Sequence, residues 1–237
     1  MQSTEHVVVV GGSSGMGRAL AAELVAQGSE VTVAGRSAGK LDAVRRELGV
    51  RTVAMDIGVE QDVERLFKTT GTVSHIVTTA ADISGAYQLI SEYDVNSARS
   101  AVDSKLLGPL LLAKHGTPLL ETGGSIVFTS GIAAYRPGPR AAVVAALNGG
   151  LASLASALAV ELAPIRVNVV SPGWVDTPIW EYVAGDATAE TLAAMAARLP
   201  AGRIGRTKDI ADAIIALLRN GFITGTVLHA DGGHRLV

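Results

Sequence analysis

The 237-residue sequence contains no cysteine, and only 4% of its residues are aromatic. The first absence excludes disulfides and thiolate chemistry, and the second leaves small aliphatic side chains to fill the core. There is no block of basic residues and the formal net charge is -2, so nucleic acid is not an expected partner. No signal peptide or membrane span is visible. We therefore expect a cytoplasmic protein with no membrane partner, and we predict no metal site.

Apolar residues, in contrast, make up 48% of the chain, and their runs alternate with helical stretches. This alternation is typical of repeated βαβ units around a parallel sheet. The length suits one domain. We predict the α/β class: a single Rossmann-type, doubly wound domain over residues 1–237, with seven mostly parallel strands and helices on both faces. Predicted strands lie near 6–10, 30–35, 51–55, 73–78, 124–129, 165–170 and 226–229. Predicted helices lie near 16–27, 39–48, 59–69, 96–121, 141–163, 187–198 and 207–219.

A glycine run follows the first predicted strand and opens the first predicted helix. Its glycines permit a tight turn, close approach of a pyrophosphate to bare backbone, and tight packing of helix on strand. The helix N-terminus then offers N–H groups and the positive end of its dipole to phosphates. We predict a dinucleotide site here; the alternative is a plain strand–turn–helix corner. The candidate contacts are Gly11, Ser13, Ser14, Gly15, Met16 and Gly17.

The same run resembles the T-G-x-x-x-G-x-G pattern of the short-chain dehydrogenase/reductase family, with Val10 in place of the threonine. Residues 171–178 match the family's Pro-Gly…Thr segment, which holds the nicotinamide side of the cofactor. Residues 78–81 match its Asn-Asn-Ala-Gly motif only at Ala80, although Thr78 can still form a hydrogen bond across strands. The resemblance implies further cofactor contacts at Ala80, Pro172, Gly173, Val175 and Thr177.

The end of the second strand bears on the choice of dinucleotide. NAD-preferring folds usually place an acid there, whereas this chain has Gly35 followed by Arg36. An arginine fork can clamp a 2′-phosphate, so we predict NADP(H) rather than NAD(H); the alternative is a solvated loop arginine. Asp56 and Ile57 resemble the family's pair that holds the adenine edge, while a helix N-cap is the other interpretation of Asp56.

The catalytic half of the resemblance is broken. Ser130 matches the family's catalytic serine, which polarises the substrate carbonyl; the alternative is a strand-end serine that bonds backbone. The family's tyrosine and lysine, four residues apart on one helix face, correspond to Val144 and Asn148. Valine carries no proton and an amide no charge, so neither replaces the phenol–lysine pair. We count Asn148 among the cofactor contacts because it occupies the position of the family's lysine.

Two other residues are candidates for the missing proton chemistry. Lys105 stands where the family has an asparagine, and Asn148 stands where it has a lysine. The two residues are therefore exchanged between two facing helices. Lys105 either points inward or is solvated. Tyr135, in the loop after Ser130, can supply a proton if Lys105 or Arg136 lowers its pKa; the alternative is a tyrosine that packs the loop. Asn96 is predicted to be a helix N-cap.

Three functions remain open at this point. The first is an NADP(H)-dependent oxidoreductase acting on a small, apolar carbonyl or alcohol. The second is an NADP(H)-binding sensor or scaffold without turnover, and the third a non-redox isomerase or dehydratase.

Residues 179–200, with Trp174 before them, are predicted to form an apolar lid over the substrate or else a docked surface helix; Ile179, Trp180 and Tyr182 belong to this segment. We also expect a homodimer or homotetramer through helices 96–121 and 141–163.

Overall fold

The computed structural model describes residues 4–83, 85–178, 180 and 185–237. Its seven strands form one sheet in the order β3-β2-β1-β4-β5-β6-β7, and every pairing between neighbours is parallel. The predicted fold class is confirmed. The strands are β1 His6–Val10, β2 Glu30–Gly35, β3 Arg51–Ala54, β4 Val73–Thr78, β5 Leu120–Thr129, β6 Arg166–Pro172 and β7 Val227–Ala230.

Helices cover both faces of the sheet because successive strand residues point to opposite sides. In β1, Val7 and Val9 pack with α1, α2 and α8, whereas Val8 and Val10 pack with α3, α5 and α6. The helices are α1 Gly15–Ala26, α2 Ala38–Leu48, α3 Glu60–Thr70, α4 Val95–Val102, α5 Gly108–Gly116, α6 Ala142–Glu161, α7 Thr188–Arg198 and α8 Thr207–Arg219. The order of the strands reverses between β1 and β4, and such a switch point opens a crevice at the carboxyl ends of the strands.

The prediction of one helix over 96–121 is wrong. A π-helical turn, Asp103–Leu107, separates α4 from α5, and the Gly108 N–H donates to Asp103 O, five residues back. Pro109 follows without an N–H, so the ordinary four-residue ladder cannot continue through it. A 3₁₀ turn, Thr117–Leu119, then leads directly into β5, since Pro118 also interrupts the helix.

The N-cap prediction for Asn96 is also wrong. Asp94 caps α4, and its carboxylate accepts from the N–H groups of Asn96 and Ser97. Asn96 is the second residue of the helix, where its own N–H is one of the donors that the aspartate satisfies.

Helix α6 leaves an apolar surface uncovered. Among the described residues it is the one helix that length and composition alone would allow to cross a membrane, with a mean hydropathy of 1.8 over the tested stretch. Only 33% of that stretch is buried within the chain, and Val160 is among its exposed residues. The helix therefore packs one face on the sheet and presents another, still apolar, outward.

Candidate active site

The glycine turn after β1 is packed too tightly for side chains at two positions. A Cβ placed on Gly17 would lie 2.4 Å from both the Gly11 carbonyl oxygen and Thr79 Oγ1. One placed on Gly11, where φ is +87°, would lie 2.6 Å from the Ala80 nitrogen. These glycines let the ends of β1 and β4 and the start of α1 come together. A Cβ on Gly15, where φ is +52°, would instead make only an ordinary contact, 3.8 Å from Thr177 Cγ2.

The start of α1 is suited to an anion. Its N-cap, Ser14, makes no side-chain capping hydrogen bond, and the first turn contains no acidic residue. The first N–H groups of a helix have no partner within it, and the dipole places partial positive charge there. Since this helix end borders a cleft, the residues present fit a phosphate group of a dinucleotide.

A cleft of about 500 Å³ lies above this turn, at the switch point of the sheet. It is walled by the ends of β1, β2, β3 and β4 and by residues 177 and 178. The predicted cofactor contacts that line it are Gly11, Ser13, Ser14, Gly15, Met16, Arg36, Asp56, Ile57, Ala80 and Thr177. Four further residues that were not predicted also line it: Ser37, Lys40, Asp82 and Ser104. The available signal was the second basic residue, Lys40, four positions after Arg36.

The other predicted cofactor contacts lie outside this lining. Gly17 is buried beneath the turn, and Gly173 is required by packing, since a Cβ there would lie 2.7 Å from Asp231 Cα. The Val175 side chain belongs to the hydrophobic core, and Pro172 ends β6. Their contact with a cofactor stays a prediction.

Two acidic residues that line the cleft have defined hydrogen bonds. Asp82 Oδ2 accepts from Arg36 Nη1 at 2.7 Å. Asp56 is not the N-cap of α3, which is Val59; its Oδ1 instead accepts from the Gly58 N–H at 2.9 Å. The Asp56 carboxylate therefore shapes the turn and borders the cleft at the same time.

Thr78, the last residue of β4, and Thr79, which follows it, make different hydrogen bonds. Thr78 Oγ1 accepts from the nearby Ala80 N–H at 3.3 Å. The bond across strands comes from Thr79, whose hydroxyl donates to the Gly11 carbonyl at 3.2 Å. The expectation that Thr78 forms that bond is wrong, because alternate residues of a strand point to opposite faces of the sheet.

Three candidate residues meet at the carboxyl end of β5. Ser130 Oγ donates to the Asn148 carbonyl at 2.9 Å, and Lys105 Nζ donates to the Thr129 carbonyl at 3.2 Å. A Cβ on Gly131 would lie 3.1 Å from Asn148 Nδ2. The exchanged lysine and asparagine thus approach residues 129–131 from different helices, the π-helical turn and α6.

Lys105 is the unusual charged group of this site. It is 7% exposed, and burial lowers its pKa from 10.5 to about 8. Two acceptors near the same strand end, Thr129 Oγ1 and Asn148 Oδ1, are buried without a hydrogen-bond partner among the described residues. Buried polar atoms are rarely left unpaired unless a site uses them. The arrangement can hold a proton on Lys105 and accept hydrogen bonds from a bound molecule.

Tyr135 lies in a different setting from the one we considered. Its ring packs edge-on against His229, with ring centroids 4.6 Å apart, and the residue is 41% exposed. Arg136 Nε donates to the Arg235 carbonyl at 3.1 Å. The contacts that the structure assigns to Tyr135 and Arg136 are therefore with the C-terminal residues of the chain.

The segment predicted as a lid contributes an aromatic pair. Trp174 and Trp180 stack with centroids 4.3 Å apart, and Trp180 Nε1 donates to the Val175 carbonyl at 2.7 Å. Ile179 and Tyr182 lie outside the described residues. The pair anchors the start of the segment beside β6.

Comparison with known proteins agrees with this geometry. The sequence model of the family described as enoyl-(acyl carrier protein) reductase matches residues 10–235. A short-chain dehydrogenase/reductase, ATR9, of Stachybotrys chlorohalonatus is 32% identical, over 97% of this chain and 96% of its own. A small-chain dehydrogenase solved in complex with NADPH is 34% identical with a TM-score of 0.86, covering 99% of this chain and 100% of its own. The MalC reductase/Diels-Alderase of Malbranchea aurantiaca is 30% identical with a TM-score of 0.93, over 99% and 97%.

The chain belongs to the short-chain dehydrogenase/reductase family, a class of oxidoreductases built on this nucleotide-binding fold. The resemblance inferred from the glycine turn and the Pro-Gly…Thr segment is confirmed.

Proposed function

We propose that this protein is an NADP(H)-dependent oxidoreductase that interconverts a small, apolar carbonyl compound and its alcohol. The observation that carries the proposal is the uncapped N-terminus of α1 at the floor of the 500 Å³ cleft, with Arg36 and Lys40 on its wall. That arrangement suits a dinucleotide with an extra phosphate. The NADPH complex of a structural neighbour supports the same cofactor.

The residues at the end of β5 have separate roles in this proposal. Bound nicotinamide would supply or accept the hydride. The Ser130 hydroxyl, which now donates to the Asn148 carbonyl, turns to donate to the substrate oxygen. Lys105 holds the proton that this oxygen gains on reduction, since a pKa of about 8 is close to the value at which a general acid works near neutral pH. The Trp174–Trp180 pair lies at the start of the predicted lid, whose described residues 185–200 would exclude water from the substrate.

The test uses purified protein, NADPH and a panel of aldehydes and ketones, with loss of the nicotinamide absorbance as the readout. Ser130→Ala should lower kcat/KM by about 10²–10³, the effect of removing one oxyanion donor, and leave NADPH affinity unchanged. Ser156→Ala is the matched control, because Ser156 also donates to a backbone carbonyl within α6 but is exposed. Equal activity in Ser130→Ala and wild type contradicts the assigned role.

A second candidate is an NADP(H)-binding protein without turnover. Val144 and Asn148 favour it, because neither side chain supplies the proton chemistry of the tyrosine and lysine that the resemblance places there. Tight NADPH binding with no consumption of any carbonyl or imine would decide for this candidate.

The third candidate, a non-redox enzyme, is favoured by the similarity to a protein described as both reductase and Diels-Alderase. A product whose redox state equals that of the substrate would identify this function. Incubation with oxidised and reduced cofactor, followed by mass measurement of the product, separates it from hydride transfer.

We also propose that the protein acts in the cytoplasm as a homodimer or homotetramer, paired through helices of the ranges 96–121 and 141–163. The apolar helix α6 supports this assembly because only 33% of its tested stretch is buried within the chain, and Leu107 and Leu110 are further exposed apolar residues. Sedimentation at the monomer mass of 24.3 kDa would contradict it.

A further inference from the structure

We infer that Asp82 determines how strongly this protein prefers NADPH over NADH, by competing with the 2′-phosphate for Arg36. The inference rests on the proposed dinucleotide site and assigns a specificity role to a residue that the sequence analysis did not single out. Without a competing carboxylate, Arg36 would strongly favour NADPH over NADH. The ion pair between Arg36 and Asp82 reduces that preference.

The position of the ion pair is the first argument. Arg36 directly follows β2, and Asp82 follows β4. These strands lie on opposite sides of β1, so the pair spans two strand spacings, about 10 Å of sheet. Both residues line the cleft above the glycine turn. The pair therefore joins its two walls across the place where the adenosine half of a dinucleotide would enter.

The mobility of the two partners differs. The Arg36 side chain is 59% exposed and that of Asp82 only 25%. The Asp82 backbone N–H donates to Ser104 Oγ at 2.9 Å, which ties the residue to the π-helical turn. An exposed arginine with several rotatable bonds can turn toward an incoming phosphate, whereas the carboxylate stays in place. After the arginine moves, the carboxylate of Asp82, whose backbone is anchored, remains near the bound ligand.

The Asp82 carboxylate affects the binding of a phosphate because the described residues that line the cleft carry no excess of positive charge. Among the residues that the structure describes, two cationic residues, Arg36 and Lys40, and two acidic residues, Asp56 and Asp82, line the cleft, so the formal charges of these four cancel. The hydrogen bond to Asp82 raises the pKa of Arg36, and the charges of Asp82 and Asp56 act in the same direction. A 2′-phosphate must take over the arginine from one carboxylate and approach a second, and like charges oppose it.

A bare ribose meets the opposite situation. Its 2′-hydroxyl is a hydrogen-bond donor, and a carboxylate is the group that NAD-binding folds use to accept from it. Those folds place the acid at the end of β2, whereas here Asp82 offers it from the opposite wall. Asp82 therefore opposes NADPH and favours NADH, which makes the two affinities closer than Arg36 by itself would make them.

The experiment measures the dissociation constants of NADPH and NADH for wild type and Asp82→Asn by calorimetry, without any substrate. Asp82→Asn keeps the size and an acceptor oxygen but removes the charge. We expect it to bind NADPH about 2- to 5-fold more tightly, in the range of an exposed charge interaction, and NADH equally or slightly less tightly. The preference for NADPH should then rise, and this rise should shrink at high salt because the interaction is screened.

The fragments 2′,5′-ADP and 5′-AMP repeat the comparison without the nicotinamide half and should show the same change in ratio. Asp42→Asn is the matched control, since Asp42 pairs with Arg45 on the exposed surface of α2 and lies outside the cleft lining. An NADPH/NADH ratio in Asp82→Asn that equals or falls below that of wild type overturns the inference. Failure of wild type to bind either dinucleotide would instead overturn the proposed function.

Discussion

The two ends of the candidate site differ in how much their chemistry depends on particular side chains. In the dinucleotide site that we propose at the glycine turn, binding relies on backbone N–H groups and the dipole of α1, and side chains at Gly11 and Gly17 are excluded by contacts under 3 Å. In the catalytic site that we propose at the end of β5, the chemistry relies on the side chains of Ser130 and Lys105, which donate to the carbonyls of Asn148 and Thr129. Binding that relies on backbone tolerates few changes in its glycines, whereas a proton relay can be rebuilt by exchanging residues between facing helices.

The largest effect expected from this comparison belongs to Gly17→Ala. The added Cβ meets a backbone oxygen and Thr79 Oγ1 at 2.4 Å, so β1, β4 and α1 must separate, at a cost of about 3 kcal/mol or loss of the fold. Urea denaturation and NADPH titration measure it. Gly39→Ala, where nothing lies within 4 Å of the new Cβ, is the control and should be neutral or slightly stabilising. If Gly17→Ala keeps the stability and the NADPH affinity of wild type, the turn does not exclude a side chain at position 17.

At the end of β5, Lys105→Met should lower activity and raise the free energy of unfolding. We expect loss of about 10²–10⁴ in kcat, because the proton donor is gone. We also expect a gain in the free energy of unfolding at pH 7, because the folded state no longer holds a buried cation. With 1.36 kcal/mol per pKa unit, the lowering from 10.5 to about 8 corresponds to a gain on the order of 3 kcal/mol.

The pH dependence of stability in Lys105→Met tests whether that gain comes from the removed cation. In wild type the folded pKa lies below the unfolded one, so between about pH 8 and 10.5 the unfolded state binds more protons. Lys105 therefore makes wild-type stability rise with pH in that window, and this contribution disappears in Lys105→Met. Lys68→Met, which removes an exposed lysine paired with Glu64, is the control. Parallel stability profiles for wild type and Lys105→Met would show that Lys105 is not buried as a cation.

The smallest effect is expected from Tyr135→Phe. The ring can keep its edge-on contact with His229, and the partly exposed hydroxyl is not the proton source in our proposal. Turnover should stay within about threefold and the free energy of unfolding within about 0.5 kcal/mol. Steady-state kinetics of the variant test this directly. A loss of a hundredfold or more would place the proton donor on Tyr135 and leave Lys105 with a structural role.

Much of the scaffold could be predicted because local sequence patterns determine its strands, turns and helices. The valine run of β1 and the glycines that follow it identify a strand, a turn and a helix without knowledge of any distant residue. The prediction failed over 96–121, where the composition is helical throughout but Pro109 and Pro118 interrupt the ladder. The N-cap of α4 was also mispredicted. Asp94 rather than Asn96 is the cap, since the position of a cap depends on where the first turn begins.

The sequence by itself determined the alternation of strands and helices, the glycine turn and the absence of a phenol and a lysine four residues apart on α6, because these are properties of neighbours along the chain. Only the tertiary structure decided that Lys105 is buried against the end of β5 and that Asp82 reaches Arg36 across β1. The physical reason is distance in sequence: Lys105 and Thr129 are 24 residues apart, and Arg36 and Asp82 are 46 apart. Contacts of this kind exist only once the parallel sheet has aligned the ends of its strands.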